Sequence, residues 1–183
     1  MSTKPVSSYI FIITIIFILS IANGYFFAVR NPGEARQMVD TLFSQLGFVR
    51  DFSAFQVFIL ILLNNTIKAF LAMLLGFFFG IVPILFIFAN GNVIGAIVTV
   101  LGMREGFLTI SLGLLPHGIF EIPAVLIASG YGLWLGVKFY RKLRYSEPMK
   151  EAFKLAIKKY FQIVFPLLLL AAIIETFLTA RLV

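Results

Sequence analysis

Two stretches of this chain lack charge over more residues than a bilayer crossing needs. Neither Pro5–Val29 nor Ala69–Met103 contains an Asp, Glu, Lys or Arg. A helix needs about 20 mainly apolar residues to cross the hydrocarbon core. There is no water in that core, so each backbone N–H and C=O must find its partner within the protein. Hydrophobic residues make up 61% of the 183 residues and charged ones 13%, well outside ordinary soluble usage. The reading is one all-α, multipass transmembrane helical bundle over residues 1–183. With no cysteine, disulfides and thiolate metal sites are excluded and the redox compartment stays open.

The first apolar run invites a signal-peptide reading. Tyr9–Val29 exceeds the usual apolar core of such a peptide, and Lys4 is the only charge before it, so it is read as a retained first span. Charge placement then sets orientation. Lys138, Arg141, Lys142, Arg144, Lys150, Lys154, Lys158 and Lys159 cluster in one segment, against Glu147 and Glu151. The positive-inside rule places residues 138–159 in the cytoplasm as a basic loop or helix. No soluble domain presents those charges, which speaks against a nucleic-acid partner.

The spans follow from that anchor. Residues 120–137 run inward and 160–180 outward, placing the C-terminus outside the cell membrane and the N-terminus inside. Between about Phe52 and Gly102 lie an inward and an outward span, with Gly76, Gly80, Pro83, Asn90 and Gly91 interrupting the stretch. Breakers at membrane depth need neighbouring helices or a cavity to satisfy the freed backbone. Gly106–Leu115 is a candidate re-entrant piece. Five spans with broken or re-entrant segments are expected, and six is the alternative.

Two segments have interfacial character. Residues 31–50 begin with Asn31-Pro32, continue with Met38, Val39, Leu42, Phe43 and Leu46 at helical spacing, and reach a stop at Gly47. This suits a helix lying on the outer surface. In Glu147–Tyr160, lysines 150, 154 and 158 form an i,i+4 stripe that suits the anionic inner leaflet, or else a solvated loop with a short helix. Small residues recur four apart in Gly76/Gly80, Gly91/Gly95 and Ala128/Gly132/Gly136. Such spacing lets helices approach closely in lipid, within the subunit or in a homodimer.

Polar groups inside spans are costly and mark interior or hydrated positions. Here they are Asn64, Asn65, Lys68, Asn90, Asn92, His117, Glu121 and Glu175; His117 is the only histidine. The runs NNTIKAFLAMLLGFFFGIVPILFIFANGNVIGA, PHGIFEIPAVLIASGYGLWLG and FPLLLLAAIIETF resemble the stage II sporulation protein M family, over roughly Phe52–Gly136 and the last span. The resemblance implies a multipass protein without established catalytic activity. Its namesake is a membrane partner of enzymes that degrade septal peptidoglycan during engulfment, and other members occur in organisms that do not sporulate. It also marks Asn64, Asn65, Asn90, His117, Glu121 and Glu175 as the polar positions.

One imidazole with two carboxylates suits Zn²⁺ or another divalent cation, so His117, Glu121 and Glu175 are the candidate metal ligands. The competing reading is a purely structural set of interhelical hydrogen bonds, with Lys68 or Arg104 as charged partners for a glutamate. Pro123 crowds the carbonyl of Ile119, so a helix carrying both His117 and Glu121 is expected to kink or break. No triad, phosphate loop or HExxH motif is present. The expectation is a membrane scaffold or assembly protein, partnered by lipid and by other membrane proteins or a second copy. A small-solute or ion transporter using the polar cluster is the alternative.

Overall fold

The computed structural model describes residues 5–45, 49 and 51–177, without the side chains of 109, 111–117 and 177. Helix α1 (Val6–Arg30) takes up the first uncharged run and ends on Arg30. It ends where the Asn31 N–H reaches the Phe27 carbonyl and Pro32 opens α2 (Pro32–Gln45). Proline suits a first helical position, where its missing N–H has no intrahelical partner. Ala35 and Val39 of α2 are buried against Ala28 of α1 and against Ala96 and Val100 further along the chain, while Phe43 stays exposed. The surface helix expected over 31–50 is thus docked on two span ends; Leu46 and Gly47 lie outside the described residues.

Helix α3 (Ala54–Leu74) starts from a reciprocal cap. The Gln56 N–H donates to Ser53 Oγ and the Ser53 N–H donates to Gln56 Oε1. A 3-10 turn, Leu75–Phe77, leads into a tight reversal with Phe79 and Gly80 at positive φ of 55° and 75°. This reversal separates the two spans expected between residues 52 and 102. Helix α4 (Ile81–Glu105) follows with Pro83 in its first turn, where proline is tolerated. It runs unbroken through Asn90 and Gly91, so these two do not interrupt the span as expected. Gly91 is instead a packing position: a methyl there would overlap Ser20 of α1.

Gly106, at φ 93°, is the hinge to α5 (Phe107–Tyr145), whose 39 residues make it about 58 Å long. Two expectations change here. Gly106–Leu115 is not a separate re-entrant piece, because its residues from Phe107 are the first turns of α5. Nor is the helix interrupted at Pro123; it continues through both Pro116 and Pro123. Ile122 and Val125, on either side of Pro123, pack with Ile13 and Phe17 of α1 and Ile87 of α4, and neighbours of this kind let a span tolerate a lost backbone bond.

After a turn at residues 146–149, α6 (Lys150–Lys159), a π-turn (Tyr160–Val164) and α7 (Phe165–Phe177) form one helical rod. The basic helix expected over 147–160 is therefore continuous with the helix of the last span. The π-turn has a covalent cause. Pro166 has no N–H and crowds the Gln162 carbonyl, and the Phe165 N–H reaches five residues back to Tyr160. Among the described residues, five helical stretches are long and apolar enough to cross a membrane: Val6–Arg30, Ala54–Phe77, Ile81–Glu105, Gly118–Tyr145 and Lys150–Thr176.

Helix α5 is the hub. Half of its most apolar window is buried, against 17–33% for the other spans. Two seams join the bundle at backbone distance. Along α1/α4, a methyl on Gly24 would collide with the Asn92 backbone and one on Gly95 with Ile21. Along α5, Gly132 faces Gly76, and Gly136 admits the backbone of the Phe79–Gly80 turn. The molecule has two distinct ends. At one, Phe139 of α5 packs on Phe77 and Phe79 with ring centroids 5.7 and 5.4 Å apart, and Tyr9 shares a cluster with Met149 and Ala152. This end carries the basic cluster. At the other, α2 is joined to the end of α4.

Candidate functional site

Each polar side chain within the spans must find a partner, and α4 shows how. The Asn92 amide donates to the Phe88 carbonyl at 2.7 Å, and its Oδ1 accepts from Asn23 Nδ2 of α1 at 2.5 Å. The neighbouring Gly24 has no side chain to hold α4 away, so the two asparagines can meet. Asn90 likewise donates to the Phe86 carbonyl at 2.7 Å.

Asn90 also lines a pocket of about 30 Å³ between three helices, with Phe17 of α1, Ile94 of α4, and Glu121, Ile122, Val125 and Leu126 of α5. About 10–15 Å³ of such space is the least that holds a water, so this one has room for at least one. Two of its seven lining residues are polar, and one carboxylate oxygen of Glu121 is buried. A carboxylate at this depth requires a proton, a donor or a cation. The arrangement sets a carboxyl group and an amide on the wall of one small interior space.

The expected polar set divides. Glu121 and Asn90 come together. Glu175 lies on α7 with one oxygen buried, but it is not among the pocket's lining residues. The side chain of His117 lies outside the described residues; its backbone sits on α5 four positions before Glu121. Among the described residues, no three His, Asp or Glu side chains gather into a metal-holding group. Asn64 and Asn65 bond each other on α3 at 3.1 Å, away from the pocket.

Several partnerships were not foreseen. Asn23 was missed, although Asn followed by Gly inside a span is a readable sign of close polar contact. Tyr160 donates to the Thr66 carbonyl at 2.6 Å, joining the last span to α3. Arg104, considered as a partner for a glutamate, instead holds both oxygens of Asp40 at 2.8 and 3.1 Å. That hydrogen bonding keeps the Asp40 carboxyl below its ordinary range. At the opposite end, Arg141 Nε donates to Glu147 Oε2 at 2.8 Å and Nη2 to Oε1, which likewise lowers Glu147.

No curated protein and no solved structure matches the chain. The family described as Stage II sporulation protein M matches residues 13–180, from the second turn of α1 past the end of α7. The match takes in every helix that builds the Asn90–Glu121 pocket and the Asn23–Asn92 bond, and this chain belongs to the Stage II sporulation protein M family.

Proposed function

We propose that this chain is a non-catalytic assembly protein of the cell membrane, a rigid multipass platform for other membrane proteins. The observation that carries this reading is the pair of backbone-distance seams, α1 on α4 and α5 on the α3–α4 turn. Alternating access requires one bundle to rock against another around a site. Helices interlocked at Gly24, Gly91, Gly95, Gly132 and Gly136 resist such rocking, and the interior pocket is water-sized. Family membership supports the same reading. In it, the basic end faces the cytoplasm with the N-terminus, and α2 lies outside.

The test pairs two measurements. Spin labels at Ala22 of α1 and Ile173 of α7, both exposed, should report one narrow distance in lipid. Photo-crosslinking residues on the lipid-facing sides of the spans, in the native membrane, should form discrete adducts with a second membrane protein. Two distance populations together with solute flux in proteoliposomes would overturn the platform in favour of a transporter.

A second reading rests on Glu121 facing a water-sized pocket: a divalent cation held there, with His117, four positions earlier on α5, as a further ligand and zinc suited to those donors. Metal content of the purified protein tests it. Stoichiometric metal that is lost in Glu121→Gln supports the site, and metal-free, normally folded protein overturns it.

A further inference from the structure

Lys68 occupies an unusual place. It lies about 14 Å of helix rise from Phe77 and about 21 Å from Ala54, near the middle of a 24-residue span. Its side chain is exposed on the outside of the bundle. Among the described residues no carboxylate pairs with it. The face around it is exposed too: Leu63, Asn64, Ile67 and Leu71 flank Lys68 at helical spacing.

A lysine in hydrocarbon can escape by extending to the nearer interface. That route is unfavourable here. Helical side chains lean toward their own N-terminus, so the Lys68 stem leans away from the nearer end at the α3–α4 turn. The charge therefore calls for an anion at its own depth, and lipid headgroups do not reach it.

We infer that the Asn64–Lys68 face of α3 is a docking surface for a transmembrane helix of another protein carrying an Asp or Glu near the bilayer midplane. The inference rests on the assembly reading and names the surface and the chemistry of the partner. A two-fold contact between copies of this chain would set Lys68 against Lys68. The chain's own span carboxylates lie at the wrong depth. Tyr160 is level with Phe70, which puts Glu175 about 20 Å nearer the opposite end than Lys68. Phe139 is level with Phe77, which puts Glu121 about 13 Å away in depth. The lysine supplies the charge-assisted bond, and the amide of Asn64, one turn away, supplies a neutral donor and acceptor to set the register.

The probe is a fluorescent Leu/Ala transmembrane peptide with a single central Glu, Gln or Leu, mixed with the labelled full chain in phosphatidylcholine vesicles. Energy transfer should show the Glu peptide associating roughly tenfold more strongly than the Leu peptide, with Gln between. The preference should vanish in Lys68→Leu and pass to a Lys-bearing peptide in Lys68→Glu. These variants alter an exposed side chain, and unchanged melting temperatures confirm that they fold. Equal association of Glu and Leu peptides, or a preference retained in Lys68→Leu, overturns the inference. Disulfide formation between two Lys68→Cys chains at low density overturns it in favour of a second copy. Either failure leaves the assembly reading intact wherever native crosslinks arise from other faces; loss of all native crosslinks removes that reading itself.

Discussion

A methyl group added to Gly76 would overlap the backbone of Gly132, whereas one added to Gly33 would meet nothing within 4 Å. The contrast gives a matched pair. Gly76→Ala should destabilise by about 1–3 kcal/mol through overpacking, read as a lower melting temperature in detergent. Gly33→Ala in α2 should be neutral or stabilising by up to about 1 kcal/mol. The Asn23–Asn92 bond predicts coupling. Asn23→Ala and Asn92→Ala should each cost about 0.6–1.7 kcal/mol, and the double variant less than their sum. Additive losses would show that the two amides do not act as a pair. Residue-level legibility was uneven. The four-residue spacing of Gly76, Gly80, Gly132 and Gly136 is visible in the chain because packing in lipid selects small residues by period. That Asn92 meets Asn23 depends on how α1 is rotated, and a period cannot express this.

At the scale of elements, α2 and the last span carry the most information. Helix α2 is held by Ala35 and Val39 beneath and by the Arg104–Asp40 bond at its side. Because Asp40 is held below the usual carboxylate range in the folded state, its contribution is present above that range, near pH 4, and is lost as pH falls through the depressed value. A spin label at Ser44 should therefore become more mobile below about pH 4, and Asp40→Asn should show that mobility at neutral pH with no further acid response. A label equally ordered in Asp40→Asn would assign the docking to Val39 and Ala35 alone. The amphipathic pattern over 31–50 announced a helix but not its seat on α1 and α4. Similarly, Pro166 is readable as a local disturbance, but that the chain answers it with a π-turn that keeps α6 and α7 one rod, with Tyr160 seated against Phe70, is seen only in the folded structure.

For the whole molecule, the pairing of ends makes a topological prediction. The 146–149 turn and the α3–α4 turn share one end, and α2 lies at the other. A cysteine at Ser146 should thus be blocked only by a membrane-permeant reagent in intact cells, and one at Ser44 by an impermeant reagent from outside. Labelling of position 146 from outside would invert the molecule, and labelling of both positions from outside would break the five-span scheme. The all-helical multipass architecture was decided by the sequence alone, because uncharged runs of this length leave a backbone in lipid no alternative to hydrogen-bonding within its own helix. The basic cluster likewise identified one end of the molecule by charge. Only the tertiary structure decided that α5 passes unbroken through Pro116 and Pro123, that Asn90 and Glu121 share a pocket while Asn64 and Lys68 face outward, and that Arg104 serves Asp40. Those outcomes turn on the rotation and depth of each helix against its neighbours, and in lipid these are set by side-chain fit between helices, not by the hydropathy of any one of them.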